Sequence, residues 1–437
     1  MRLQRIEIAE LGRLGGPVGV AAHLRSLVPD GASVHQPVAE IVERVRADGD
    51  AAVLDYTHQL DAREIERAEL DARGLRVSAD ELDAAIKRLP LELVAGLQVT
   101  IANVAQVADA AAGRDTVVTP PQGQRIALRE LPVASAAVYV PGGRAPYPST
   151  VAMGVVTARA AGVVDVAVCS PPGLDGNVHD AVLGACRLCG VERVYGVGGA
   201  QAIAALAYGT ETIERVDVIV GPGNLYVQEA KRQVSGVVGI DGFAGPSDLL
   251  VTLAGELDER AVHSAALDML AQGEHGEGSL VAAVCAGPGV GDALAMALSR
   301  LDAERPVHGA TFALVDVLDA NQALELADAF APEHLQLIGG GAEPLAPRVR
   351  SAGCVFVGAD SATAFGDYVA GSNHILPTGG AARFESMLSP RHFSRRMAEV
   401  RIDADAAAKL ARAGAPIARA EGFEWHARSM EARIGDN

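Results

Sequence analysis

Four short polar motifs in the second half of the chain have residue types that could do chemistry. They are Gln272-Gly-Glu-His275, Pro332-Glu333-His334, Gly366-Asp367-Tyr368 and the pair Glu421 and His426. A glutamine and a histidine three residues apart share one face of a helix, and an adjacent Glu-His pair offers a carboxylate beside an imidazole. Imidazole, carboxylate and amide oxygen are all ligands for divalent metals. Taken singly, each motif is better explained as a polar helix end, a turn or a solvated helix face than as a ligand site.

Glycine-rich turns form a second set of candidates. They are Val140-Pro-Gly-Gly143, Gly196-Val-Gly-Gly-Ala-Gln201 and Gly221-Pro-Gly-Asn224. Each follows a predicted strand and precedes a predicted helix, which is where open α/β sheets bind ligands and where helix N-termini can face a phosphate. Such turns also serve as simple connections, so ligand binding and connection both stay open at this point. Gly287 to Asp292 lacks the third glycine of a G-x-G-x-x-G motif, and we interpret it as a loop.

The elements that must position these motifs alternate between short apolar strands and helices of about ten residues. The predicted strands are Ala136–Val140, Val163–Cys169, Arg193–Val197 and Val216–Val220 in a first block, then Leu249–Leu253, Leu280–Cys285, Phe312–Val317, Leu335–Ile338 and Cys354–Val357 in a second. This alternation is typical of βαβ units on parallel sheets. The sequence therefore predicts an α/β protein with two related, doubly wound, incomplete Rossmann-like domains and a cleft between them.

The ends of the chain read differently from the two blocks. Residues 36–112 show helical periodicity, including a capping box from Ser78 to Glu81. After Pro377 the strand signal fades, and Ala404 to Arg433 is predicted to be mainly helical. A tail that cannot build its own core docks on a neighbour, so we expect the tail to pack on another part of the protein or on a second subunit.

Composition narrows the class of protein. A chain of 437 residues is too long for one hydrophobic core. The net charge of −18, without any Lys/Arg-rich tract, disfavours nucleic-acid binding. Five cysteines are few and odd in number, which favours reduced thiols in the cytoplasm, with Cys186 and Cys189 as packing residues. We expect no signal peptide and no membrane span, because the longest apolar run, around Val163–Cys169, is far too short.

Together, the motifs resemble those of the histidinol dehydrogenase family, which carries out the last two steps of histidine biosynthesis. The matching stretches are Tyr139–Thr150, Gly198–Ile203, Gly221–Val227, Gly245–Ser247, Gln272–His275, Ala331–Leu335, Gly366–His374 and Leu376–Gly379. Their order and spacing are specific and cover nearly the whole chain. The resemblance implies oxidation of L-histidinol to L-histidine through L-histidinaldehyde, with NAD as acceptor, one zinc ion per subunit, and a cytoplasmic homodimer with shared active sites.

The resemblance also assigns roles to individual residues. The implied zinc ligands are Gln272, His275, Asp367 and His426, the last from the partner subunit in a homodimer. Glu333 and His334 match the catalytic acid/base pair; His334 suits proton removal from the alcohol, and Glu333 suits activation of water for the aldehyde step. The implied NAD contacts are Tyr139, Gln201 and Asn224. The implied substrate contacts are Ser247, Glu421, His334 and the four zinc ligands.

These roles divide the chain into five segments. We predict an N-terminal arm (1–35), a helical part joined to the second α/β domain (36–132), an NAD-binding Rossmann-like domain (133–243), a second α/β domain with the zinc and catalytic residues (244–380) and a dimerisation tail (381–437).

Three departures from the family pattern bear on the substrate. Asp248 stands where the family usually has Glu, Gly273 stands where Ala is usual, and Glu385–Pro390 differs from the common pattern. They keep open a paralogous zinc/NAD dehydrogenase that acts on another small polar alcohol. A non-enzymatic nucleotide-binding scaffold is disfavoured, because it gives Glu333 and His334 no purpose.

Overall fold

The computed structural model describes residues 3–28, 34–142, 145–243, 245–276 and 278–434. The chain starts on the sheet of the second α/β unit. Strand β1 (Leu3–Ile6) is followed by helices α1 (Ile8–Leu11) and α2 (Gly16–Ser26). β1 pairs in parallel with the strand Thr311–Val317, and α2 packs against the helix Ala320–Phe330. The arm therefore completes a sheet that is built mostly from residues far along the chain.

Five helices follow, as the periodicity of residues 36–112 predicted. They are α3 (His35–Asp48), α4 (Asp50–Leu60), α5 (Arg67–Arg73), α6 (Ala79–Arg88) and α7 (Leu91–Ala111). The capping box at the start of α6 is present, because Ser78 Oγ accepts from Glu81 N at 3.2 Å and Ser78 N donates to Glu81 Oε2 at 2.7 Å. Strands β2 (Thr116–Val118) and β3 (Arg125–Pro132) come next.

These helices cover the first α/β unit. α3 packs against the helices Gly199–Tyr208 and Leu225–Val234, α6 against Asp180–Leu188, and α7 against Pro148–Ala160. Val38 and Val45 of α3 and Leu82 of α6 are buried in the cores of that unit. The contacts thus place the segment on the first unit rather than on the second, to which the sequence prediction attached residues 36–132. An amphipathic pattern shows that a face is buried, but not which sheet buries it.

The first parallel sheet has the strand order β6-β5-β4-β7-β8. Its elements are β4 (Ser135–Tyr139), α8 (Pro148–Ala160), β5 (Asp165–Ser170), α9 (Asp180–Leu188), β6 (Arg193–Gly196), α10 (Gly199–Tyr208), β7 (Val218–Val220), α11 (Leu225–Val234) and β8 (Gly239–Ile240). The strand order reverses between β4 and β7, so the turns after these two strands lie at a topological switch point.

The second sheet has the order β1-β11-β10-β9-β12-β13, and all its pairings are parallel. Its remaining elements are β9 (Asp248–Ala254), α12 (Glu259–Gly273), β10 (Leu280–Ala286), α13 (Val290–Glu304), β11 (Thr311–Val317), α14 (Ala320–Phe330), β12 (His334–Ile338), β13 (Cys354–Val357) and α15 (Thr363–Tyr368). β9 and β10 are buried along their whole length, which explains their continuous apolar sequence. The predicted fold of two doubly wound parallel-sheet units is confirmed.

The C-terminal segment contains a strand that the sequence did not predict. β14 (Ser394–Arg401) pairs antiparallel with β3, which also pairs with β2. Helices α16 (Ala404–Ala420) and α17 (Glu424–Glu431) then pack on each other and form the predicted helical tail. Within the described ranges, one helix, α7, is long and apolar enough to cross a membrane by length and composition. It packs along α8, with Leu97 and Val104 buried.

Candidate active site

A cavity of about 990 Å³ lies between the two α/β units. The first unit lines it with the turns at the carboxyl ends of β4, β6 and β7. The second unit lines it with residues at the amino ends of β9 and β12 and at the ends of α12 and α15. The motifs of the second unit therefore face the glycine turns of the first unit across one space.

Glu333 lies immediately before β12 and is held between the starts of β9 and β12. Its Oε2 accepts from Ser247 Oγ at 2.6 Å and from Asp248 N at 2.9 Å. Its own backbone N–H donates to Asp248 Oδ1 at 2.7 Å. Burial raises the pKa of Glu333, while the neighbouring His334 opposes this increase. The carboxyl group is thus fixed in position and holds a proton more readily than a solvated glutamate does.

His334 is the first residue of β12 and lies between two acids. Its Nε2 is 3.4 Å from Asp367 Oδ1, and its Nδ1 is 3.8 Å from Glu333 Oε2. Nδ1 is buried and has no hydrogen-bond partner in the part of the chain that the structure describes. Burial lowers the pKa of His334, but the charges of Glu333 and Asp367 outweigh it and raise the pKa to about 9. Any cation that binds Asp367 would weaken this effect and lower the pKa of His334 toward neutral pH.

Asp367 lies in the last turn of α15. Burial raises its pKa, but pairing with His334 and the nearby His374 and His275 hold the pKa of Asp367 below its usual value. His374 Nδ1 lies 2.9 Å from the Asp367 carbonyl oxygen, and its Nε2 lies 2.9 Å from Thr150 Oγ1 on α8. His374 thus connects the acid to the first unit. His374 ends the motif Gly366–His374, but the sequence predicted no role for it.

Gln272 and His275 lie at the C-terminal end of α12. Gln272 is buried and donates from Nε2 to Ser247 Oγ at 2.5 Å, and Ser247 passes the chain of hydrogen bonds on to Glu333. His275 is exposed, and its Nδ1 lies 3.0 Å from the Gln272 carbonyl oxygen. When one ring nitrogen of a histidine is held in this way, the other is oriented for a metal or a substrate.

The predicted zinc ligands come together only in part. His275 and Asp367 supply an imidazole and a carboxylate on one side of the cavity, whereas Gln272 is buried and is not among the residues that line it. His426 lies on α17 and Glu421 at the end of α16; both are exposed, and neither lines the cavity of this chain. Across the described ranges, no group of three or more His, Cys, Asp or Glu side chains could hold a metal ion. The donor set fits a divalent metal but needs at least one further ligand from elsewhere.

The predicted NAD contacts lie on the opposite wall. Tyr139 ends β4, and its hydroxyl oxygen accepts from Gly199 N at 3.1 Å. Gln201 is buried, and both polar atoms of its amide lack a partner in the described structure. Asn224 is the N-cap of α11, accepting from Tyr226 N and Val227 N, which explains its type without a ligand. The orphaned Gln201 amide is the observation that fits a polar cofactor here.

The turn after β7 requires a glycine and is clamped by a buried ion pair. A Cβ on Gly221, which has a φ of +119°, would lie 2.1 Å from the Tyr139 carbonyl oxygen. Lys231 Nζ donates to Gly221 O at 2.5 Å and to Asp241 Oδ1 at 2.6 Å, and Asp241 Oδ2 accepts from Gly221 N at 2.6 Å. The sequence did not indicate this pair. Gly143 of the first predicted turn lies outside the described residues.

These features define an α/β enzyme with its active site in the cleft between two parallel-sheet units. The family model for histidinol dehydrogenase matches residues 27–434. The chain is 42% identical to histidinol dehydrogenase of Synechococcus sp. over 417 residues, 92% of this chain and 93% of the relative. It is 39% identical to that of Gluconobacter oxydans over 418 residues, 93% of this chain and 94% of the relative.

A crystal structure of histidinol dehydrogenase from Elizabethkingia anophelis aligns with a TM-score of 0.88 at 28% identity, covering 99% of this chain and 98% of that one. The chain belongs to the histidinol dehydrogenase family. It is therefore an oxidoreductase, and the alternative of a paralogous dehydrogenase for another alcohol is not favoured by these matches.

Proposed function

We propose that this chain oxidises L-histidinol to L-histidine through L-histidinaldehyde, with two NAD+ reduced and one zinc ion per subunit. The observation that carries the proposal is the buried Glu333–His334 pair. It faces a cavity with metal-ligand chemistry on the same wall and an unpartnered amide on the other. An alcohol placed between these walls meets a proton acceptor on one side and space for a hydride acceptor on the other.

The two residues of the pair have different tasks. When bound, zinc supplies a charge that holds and orients a polar substrate, and NAD+ supplies the hydride acceptor. His334 takes the hydroxyl proton while hydride leaves the carbinol carbon. The aldehyde is then hydrated, and Glu333 takes the proton from the attacking water. Its hydrogen bonds from Ser247 and Asp248 hold it in the geometry for that step.

This division of roles is tested by single-turnover NADH formation from histidinol and from histidinaldehyde. Glu333→Gln slows oxidation of the aldehyde by about 100- to 10,000-fold, the range of general-base catalysis, and slows the first hydride transfer less. His334→Ala slows both. Glu325→Gln, an exposed acid on α14, is the matched control and changes neither. If Glu333→Gln slowed only the alcohol step, the assignment would be wrong.

We also propose a homodimer in which the tail of each subunit completes the partner's site. The tail exposes Ile417, Phe423 and Trp425 by 61, 54 and 79%, an apolar surface that a second copy would cover. It also carries the predicted site residues Glu421 and His426, which do not line this chain's own cavity.

Mixing inactive His334→Ala and His426→Ala chains tests the shared site. Restored activity, up to about a quarter of the wild type for random pairing, supports it. No recovery despite exchange of subunits, verified by mass spectrometry, would show that each chain uses its own His426.

Five free cysteines, four of them buried, support the cytoplasmic location that we propose for this enzyme.

A further inference from the structure

Strand β12 carries a polar side chain at a position where burial favours an apolar one. All five residues of β12, His-Leu-Gln-Leu-Ile, are buried, and Gln336 lies in the middle of the strand. Its Oε1 atom is buried and has no hydrogen-bond partner among the residues that the structure describes. A buried polar atom without a partner lowers stability, so a leucine or methionine at this position would give a more stable fold. The presence of Gln336 therefore needs a reason other than stability.

The amide nitrogen of Gln336 joins two elements that pack beside β12. Nε2 donates to Asp268 Oδ2 on α12 at 2.6 Å and to the carbonyl oxygen of Ser361, two residues before α15, at 3.2 Å. A primary amide has two hydrogens, so both bonds can form at once. α12 and α15 are also in contact with each other. One side chain thus holds three elements together.

The carboxylate that accepts from Gln336 is itself unusual. Asp268 is buried, and across the described ranges its carboxylate receives a hydrogen bond from Gln336 alone. Burial raises the pKa of Asp268, and the bond from Gln336 opposes the increase. A buried carboxylate with a single donor is unfavourable for folding. Two polar side chains therefore form a buried bridge that apolar residues could replace without loss of stability.

Each of the three elements carries a residue of the candidate site. Asp268 is four residues before Gln272, on the same face of α12. Gln336 is two residues after His334, on the same face of β12. α15 carries Asp367, whose Oδ1 lies 3.4 Å from His334 Nε2. The bridge therefore lies beside the side chains whose mutual distances the chemistry requires.

We propose that Gln336 and Asp268 are positioning residues that fix α12, β12 and α15 relative to one another, and with them the metal-binding and proton-transfer groups. The proposal rests on the function proposed above. Neither residue lines the cavity, so both act through the groups that do. Removing a group that supports a metal ligand lowers metal affinity by about 10- to 100-fold, and a displacement of about 1 Å can slow catalysis by about 100-fold.

The test removes the bridge without leaving a buried group unpaired. Asp268→Leu/Gln336→Met replaces both polar side chains by apolar ones, which is nearly neutral or stabilising for a fold. We expect the affinity for Zn2+, measured by competition with a chromophoric chelator, to fall by about 10- to 100-fold. We expect kcat with histidinol to fall by at least about 10-fold. The KM for NAD+ stays unchanged, because the opposite wall is untouched, and the urea midpoint of the metal-free protein is unchanged or higher.

Two further variants separate the bridge from the charge and from the volume of its members. Asp268→Asn keeps an oxygen that accepts from Gln336, so this conservative variant retains most of the Zn2+ affinity and of kcat. Asp268→Asn/Gln336→Met breaks the bridge without a larger side chain at position 268, and we expect the same losses as in the first double variant.

Thr252→Val is the matched control. The Thr252 hydroxyl is buried on β9 and, like Gln336 Oε1, has no partner in the described structure. Thr252 shares its strand face with Leu250 and Ala254, which pack in the core on the other side of the sheet. Its removal is expected to leave Zn2+ affinity and kcat unchanged.

Hydrogen exchange of the metal-free protein decides the positioning role without metal or substrate. Faster exchange in the double variants at the end of α12, the start of β12 and in α15, with the rest of the sheet unchanged, supports the role. Unchanged exchange in these three segments, or Zn2+ affinity and kcat equal to those of the wild type, refutes it. A general loss of stability that accounts for the lower activity, or a loss in Asp268→Asn as large as in the double variants, refutes it too. Failure of the wild type to bind Zn2+ would instead refute the proposed function, and the exchange measurement would still decide the role of the bridge.

Discussion

Removing Arg25 is expected to destabilise the protein through Asp248. Arg25 Nη1 lies 3.2 Å from Asp248 Oδ2, and its guanidinium stacks 4.1 Å from the centroid of the Phe330 ring. Asp248 is buried and also holds Glu333, through the backbone bond to its Oδ1. Breaking a buried ion pair from one side costs about 3–5 kcal/mol, because the other charge stays buried. Since Arg25 is about a quarter exposed, we expect the lower end, about 3 kcal/mol, for Arg25→Met at pH 8.

The pH dependence of this loss follows from the direction of the pKa shift. Burial raises the pKa of Asp248, and Arg25 limits that increase. When a carboxyl group has a raised pKa in the folded state, the protein loses stability as the pH rises from the pKa of the unfolded state, 3.8, through the pKa of the folded state. Without Arg25 the folded pKa is higher still, so the deficit of Arg25→Met is small near pH 4 and grows toward pH 8.

Urea unfolding followed by circular dichroism, at fixed protein concentration and at pH 5 and 8, measures the effect. The same substitution in an Asp248→Asn background is the control, because no charge is then left unpaired. We expect Arg25→Met to cost at least about 1.5 kcal/mol less in that background. Equal costs in the two backgrounds, or a deficit independent of pH, would refute the ion-pair reasoning.

Three further predictions concern the turn after β7, the histidine behind Asp367 and the acid at the end of α4. Gly221→Ala is expected to lower the free energy of unfolding by at least about 2 kcal/mol and to weaken NAD+ binding, because the new methyl group would overlap the Tyr139 carbonyl. Gly340→Ala is the control: its methyl group would meet nothing within 4 Å, so it should be neutral in the same unfolding and binding assays. His374→Gln is expected to lower zinc affinity by about 10- to 100-fold, since it removes support from Asp367; unchanged metal retention during dialysis against a chelator would contradict this. Asp61→Asn is expected to stabilise the ligand-free protein by at most about 3 kcal/mol at pH 8. Burial raises the pKa of Asp61 from 3.8 to about 6 on folding, so the ionised carboxylate costs stability that a neutral amide does not. Thermal melts at pH 8 and pH 4 should show the gain only at pH 8.

The parallel sheets could be predicted from sequence because their strands are continuous apolar runs. Cys354–Val357 agrees with the predicted ends, and the other eight predicted strands differ from the observed ones by two residues at most at either end. β14 escaped prediction because it is an exposed strand with Arg395, Arg396 and Glu399 in place of apolar residues. Its pairing with β3, far away in sequence, holds it in place, and no local pattern encodes such a pairing.

The site could be predicted where a motif carried it, and not where packing completed it. Ser247, Glu333, His334 and Asp367, all found in sequence motifs, line the same cavity, and the roles that the resemblance implies for them stay predictions. Arg25 lies on a helix from the opposite end of the chain, and its role becomes visible only when β1 and α2 join the second sheet.

The placement of the second half of the site also differs from the usual position of ligands in α/β sheets. The sequence predicted ligands at the carboxyl ends of strands, and the turns after β4, β6 and β7 of the first sheet do line the cavity. The second sheet instead presents the amino ends of β9 and β12. Which ends of the strands face the cleft depends on how the two units dock. The sequence of either unit alone does not specify this docking.

This docking gives the cavity an electric polarity. The helices of the first unit that reach it, α8, α10 and α11, point their N-termini inward, whereas α12 and α15 of the second unit end there. Helix ends carry about half an elementary charge, positive at the N-terminus and negative at the C-terminus. One wall therefore attracts the phosphates of a dinucleotide, and the other attracts a cation. Under the proposed function, the hydride passes from the negative wall to the positive wall, so the backbone itself favours the direction of oxidation.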